Sequence, residues 1–158
     1  MTSTLEATLG ILPVEEAIQR FESTFPTSDW NKLQIEPEGP FMKYEMVGTD
    51  EVNRNILEIN AQSGTILKEK QKPLKPKQQD PARRARKELN MMNLMSLTEI
   101  NQIAVQQVVN AKPFQWELDR QKHRTVWKIE FADAMGEKIT EVKVDAQDGT
   151  ITQIKLKG

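Results

Sequence analysis

The chain has 158 residues, 22 Lys/Arg against 23 Asp/Glu, one histidine and no cysteine. Disulfides, thiolate metal sites and thiol nucleophiles are therefore excluded, and so within one chain are a multi-histidine metal centre and any mechanism needing two histidines. The near-neutral total hides an asymmetry: residues 1–67 carry 4 cations against 11 anions, residues 68–88 carry 9 against 3, and residues 89–158 carry 9 against 9.

No run of residues is long and apolar enough to cross a membrane, and the first cation is Arg20, so no basic leader opens the chain. Either the protein is cytoplasmic, or a signal or anchor would lie upstream of Met1. Residues 1–10 are small and polar and are expected to be flexible. Pro13 to Phe21 reads as a helix, with proline in the first turn and Glu15 and Glu16 at the positive end of its dipole. Val14, Ala17, Ile18 and Phe21 give it one buried stripe, and Pro26 ends it.

Strands follow by alternation at Leu33/Ile35, at Met42/Tyr44/Met46 and at Ile56 to Ile59. Pro37 to Pro40 is a turn by composition. Ala61-Gln-Ser-Gly-Thr-Ile66 then closes a hairpin into a fourth strand. Lys68 to Lys87 mixes Pro73, Pro76 and Pro81 with cations, as a linker does, and Asp80-Pro81 can start a short helix.

The pattern then repeats. Ser96-Leu-Thr-Glu99 is a capping box before the stripe Leu97, Ile100, Ala104 and Val108. Trp116/Leu118, Trp127/Ile129/Phe131, Val142/Val144 and Ile154/Leu156 alternate as four strands. Glu16 and Glu99 are 83 residues apart, as are Leu33 and Trp116; Gly64 and Gly149 are 85 apart, as are Ile66 and Ile151. One supersecondary unit is used twice. The fold expected is α+β: two tandem repeats, each a helix packed on a four-stranded antiparallel sheet. The divisions are a flexible end (1–10), a first unit (11–70), a basic proline-containing linker with a short helix (71–93) and a second unit (94–158). Gly64 and Gly149 are structural turn residues expected at positive φ. Gly149 is ranked the costlier to replace because it closes the better-patterned hairpin.

Leu97-Thr-Glu-Ile-Asn-Gln-Ile-Ala104, the aromatic-led strand Trp127-Lys-Ile-Glu130 and Val142-x-Val-Asp-x-x-x-Gly-x-Ile151 together resemble the PepSY domain. The first unit resembles it less closely, with Asn60 in place of the usual aspartate. The resemblance implies a bacterial, extracytoplasmic, cystatin-like module of the kind found in propeptides of thermolysin-like metalloproteases and in small secreted or anchored proteins. It implies a protein partner, a peptidase among the candidates, and no catalytic residues.

His123 stands among Arg120, Lys122 and Arg124 and reads as a solvated turn residue; Asp145 and Asp148 read as turn formers rather than a calcium loop. The function expected is non-catalytic binding or regulation at a bacterial cell surface, with neither cofactor nor metal. The alternatives are a peptidase-restraining inhibitor and an envelope adaptor held to an anionic polymer. The contact candidates are Trp30, which lies in polar company, and the connector cations Lys75, Lys77, Arg83, Arg84, Arg86 and Lys87. Nucleic acid is disfavoured because no aromatic is interleaved with those cations. The first unit's acids are expected to pair with the connector. Oligomeric state is left open.

Overall fold

The computed structural model describes residues 3–157. Helix α1 (Leu5–Leu9) and α2 (Val14–Thr24) lead into β1 (Lys32–Glu38), β2 (Phe41–Thr49), β3 (Asn53–Asn60) and β4 (Ile66–Pro73). A 3-10 turn (Pro76–Gln79) and α3 (Pro81–Lys87) form the connector. Helix α4 (Leu97–Val105) then precedes β5 (Ala111–Gln121), β6 (Arg124–Asp133), β7 (Ile139–Asp145) and β8 (Ile151–Lys157).

Each unit is a helix followed by a four-stranded antiparallel meander, and the two meanders are fused. All eight strands form one sheet in the order β4-β3-β2-β1-β5-β6-β7-β8. The joint is antiparallel, pairing Leu33 with Leu118, Gln34 with Glu117 and Ile35 with Trp116. Gln34 and Glu117 are equivalent positions of the two repeats, so the units meet about a pseudo-twofold axis, as the subunits of a symmetric dimer do.

The alternating strand residues place Leu33, Ile35, Tyr44, Met46, Leu57 and Ile59 on one face, with Trp116, Leu118, Trp127, Ile129, Val142 and Val144 continuing it; all are buried in one core with the stripes of α2 and α4. Small units bury too little surface to be stable singly, and sharing a sheet and core offsets that.

Three expectations need correction. Residues 1–10 are not uniformly loose: Thr4 caps α1 through a bond from the Ala7 N–H (3.1 Å), and the Leu5 N–H reaches Thr98 Oγ1 across the units (2.9 Å). Glu6 is buried and its Oε2 accepts the Val14 N–H at 3.2 Å, capping α2. Met1, Thr2 and Gly158 lie outside the described residues. Pro37 stands within β1, in a stretch that β5 no longer pairs, so its missing N–H breaks no bond on that side. The linker start at 71 falls inside β4, and the connector is a strap rather than a solvated spacer. Leu74 and Leu89 are 6% and 4% exposed, and the Leu89 N–H bonds the Trp30 carbonyl at 2.8 Å.

Candidate functional sites on the open face and sheet edges

Helices α1, α2 and α4 cover one face of the sheet; the other carries charge. On it Lys43 lies 3.5 Å from Glu36, 3.2 Å from Glu38 and 3.0 Å from Glu58. Burial works to lower the Lys43 pKa, but its hydrogen bonds to Glu58 and Glu38 outweigh that and raise it. Burial pushes the Glu117 carboxyl up, and Lys128 at 3.7 Å opposes this only in part.

At one end of this face the connector lies over Val47, which together with Leu74 floors a cleft of about 260 Å³. Lys32 and Arg54 enter it from the sheet, and Arg83, Arg84 and Lys87 from α3. A second cleft of about 620 Å³ on the other side of α3 holds Arg86, Lys122 and His123, and shares Asn31 and Lys87 with the first. Helix α3 is fixed between them by Arg120, whose Nη1 donates to the carbonyls of Ala85 (3.0 Å) and Glu88 (2.6 Å). Arg120 thereby also tethers the connector to the second unit. The structure thus brings Arg83, Arg84, Arg86 and Lys87 together, whereas Lys75 and Lys77 line neither cleft. Lys32 and Arg54 lie far from the connector in sequence, and strand pairing alone puts them beside α3.

The expected internal neutralisation is small. Arg84 Nη2 is 3.6 Å from Asp29, the one contact between a connector cation of α3 and an acid among the described residues. Arg84 also helps to hold Asp50 below the usual carboxylate range; burial opposes this, and the N–H groups of Val52 and Asn53 and the Asn55 amide outweigh it.

Trp30 is corrected from surface anchor to core residue. It is 4% exposed, its ring lies 4.3 Å from that of Phe21, and its Nε1 donates to Glu22 at 3.2 Å. Its polar neighbours serve a different purpose, since Asp29 Oδ1 accepts the Thr49 N–H at 2.7 Å and the Thr49 hydroxyl at 3.0 Å.

Gly64 and Gly149 both have φ 78°. Equivalent positions sit against them: Arg20 Nη1 donates to the Gly64 carbonyl at 2.9 Å, while a Cβ at Gly149 would lie 3.0 Å from Ile103 Cδ1. Asp145 turns inward on its own loop, accepting the N–H groups of Gln147 (2.8 Å) and Asp148 (3.0 Å) and pairing with Arg124 at 3.1 Å. His123 is exposed in the β5–β6 turn.

The two sheet edges differ. On the helix side, β8 presents Ile154 and Leu156, 51% and 66% exposed, beside Val142 and Thr140. The same positions of β4 hold Glu69 and Gln71, and its other face carries Lys68, Lys70 and Lys72; its exposed apolar residues, Ile66 and Leu67, stand at its first two positions, and β8 keeps Lys155 and Lys157 on its open face. Lysine-rich edges resist strand addition; an apolar edge invites it.

The sequence pattern of the PepSY family, described as peptidase propeptide and YPEB domain, matches residues 11–70 and again 94–155. No curated protein matches the chain in sequence. In architecture it is similar to the crystal structure of a protein from Clostridium difficile 630 described as a "putative lipoprotein". The TM-score is 0.88 at 21% identity, over 99% of this chain and 100% of that one.

Proposed function

The chain belongs to the PepSY family, carrying two copies of its domain, and from that premise we propose that it is a non-catalytic regulatory module that holds an extended segment of a partner protein along β8. PepSY domains are generally propeptide or regulatory modules. That habit, with the description of the structural neighbour as a lipoprotein, supports an extracytoplasmic place and a peptidase as the partner. The observation that carries the reading is the asymmetry of the edges. Ile154 and Leu156 are exposed where the sister repeat keeps glutamate and glutamine, so the fold does not require them to be apolar. A strand added there gains main-chain hydrogen bonds from β8 and seats alternate side chains against Ile154 and Leu156.

The test is titration of the chain into a thermolysin-like metallopeptidase, following hydrolysis of a fluorogenic peptide and amide exchange in β8 together. Inhibition accompanied by slowed exchange at Thr152 to Lys157, both lost in Ile154→Lys/Leu156→Lys, is the expected result. Inhibition that the double variant retains would move the contact off β8. Absence of both effects would refute peptidase restraint.

A further inference from the structure

The clefts beside α3 contain more positive charge than the chain uses. Glu36, Glu38 and Glu58 surround Lys43, and Glu45 takes Lys32 at 2.9 Å, so these four acids are committed away from the connector, while Asp29, Asp50 and Glu51 lie on the Arg84 side. Among the described residues Arg54, Arg83 and Lys87 form no ion pair. Arg84 Nε is a buried donor with no acceptor among the described residues. No carboxylate of the described residues lines the smaller cleft. A recess walled by one sign of charge focuses its field on whatever enters, and a buried donor without a partner is costly until an acceptor arrives.

We propose that these two clefts form one track that binds a linear phosphodiester polymer without bases, such as a polyol phosphate. One phosphate enters the smaller cleft, where Arg54 approaches from the sheet and Arg83 and Lys87 from one face of α3, and the Arg84 side chain, whose Nε is closed to solvent, turns towards it to gain the missing acceptor. A tetrahedral phosphate has oxygens for several such donors at once, and guanidinium groups match it well. The chain then continues past α3 towards Arg86 and Lys122 in the larger cleft, where Asp119 is the one carboxylate among the described lining residues, the shared wall at Asn31 and Lys87 making the path continuous. No Phe, Tyr or Trp among the described residues lines either cleft, so they offer no stacking platform of the kind single-stranded nucleic acid uses. A flat membrane surface would not reach donors recessed beside α3. This site lies apart from β8 and does not depend on the peptidase reading.

The probe is poly(glycerol phosphate), titrated calorimetrically into the intact chain between about 50 and 200 mM salt. The wild type is expected to bind with affinity falling as salt rises. Arg83→Gln/Lys87→Gln should weaken binding by about tenfold or more and lower the slope of log affinity against log salt by about 2, near 1 for each cation removed. Lys75→Gln/Lys77→Gln removes the same charge outside the clefts and should leave affinity within about threefold. Thermal melts should show both pairs folded as wild type, and Ile154→Lys/Leu156→Lys should bind the polymer normally. Equal loss in the two pairs, or no binding at all, would overturn the site. Tighter binding of single-stranded DNA of equal charge would replace the polymer with nucleic acid. Binding confined to anionic lipid vesicles would replace it with a membrane surface.

Discussion

Replacing Gly64 by alanine probes both the turn and the side chain that closes over it. The residue has φ 78°, a conformation in which a Cβ costs about 1–2 kcal/mol. That Cβ would also lie 2.5 Å from Arg20 Nη1 and 2.9 Å from its Cζ. The guanidinium sits at the end of a flexible side chain and can withdraw, but then forfeits its 2.9 Å bond to the Gly64 carbonyl, worth about 1 kcal/mol where partly buried. Gly64→Ala should therefore destabilise by about 2–3 kcal/mol, and Arg20→Ala by about 1. In the double variant the bond is already gone, so the glycine substitution should cost only the strain, giving a coupling of about 1 kcal/mol. Urea unfolding of the four proteins at pH 7 measures it. Additivity within about 0.3 kcal/mol would refute the contact, and a neutral Gly64→Ala would refute the left-handed turn. At Gly149 the Cβ would meet Ile103 Cδ1 at 3.0 Å and Met95 Sδ at 3.3 Å with no bond to lose, so Gly149→Ala should cost about 1–2 kcal/mol, reversing the order expected from patterning alone.

Glu117→Gln tests the electrostatics of the joint. Because burial raises the folded-state pKa of Glu117, its contribution is most favourable below the unfolded value and is lost as pH rises through the folded one. The variant, which copies Gln34 at the equivalent position, should gain up to about 1 kcal/mol over wild type at pH 7 and lose that advantage towards pH 4 in thermal melts. A variant less stable than wild type at pH 7 would mean the Lys128 pair outweighs burial. Trp30→Ala should cost about 3–5 kcal/mol in denaturant unfolding, as a cavity beside Phe21 demands; a loss under about 1 kcal/mol would return Trp30 to the surface.

What was legible in the sequence was whatever follows from local pattern. Period-two alternation located the strands, and the recurring Ala-Gln-x-Gly-Thr-Ile located both hairpin turns. The fusion of the two meanders left no local trace, since Leu33 and Ile35 would alternate identically on a free edge. Trp30 misled because polarity at Asp29 describes its bonds to β2, not the ring beside it. The connector misled for a related reason: its composition is that of a solvated linker, its buried apolar anchors are only Leu74 and Leu89, isolated among charges, and the bonds that fix α3 come from Arg120, outside the stretch.

Divergence between the repeats separates what the fold needs from what it does not. Gly64 and Gly149 agree because the same left-handed turn is built twice. Arg20 and Ile103 differ, yet both pack on that turn, so either chemistry satisfies it. Glu69 and Ile154 differ without any packing reason, since both face solvent at an edge. A free choice made apolar on one edge, and flanked by lysines on the other, fits the proposed strand addition at β8 and its avoidance at β4. The basic strap has no counterpart within either repeat, and it crosses the face the helices leave open. Its charge is therefore independent of the edges, and loss of polymer binding and loss of partner binding should be separable in single variants of the same chain.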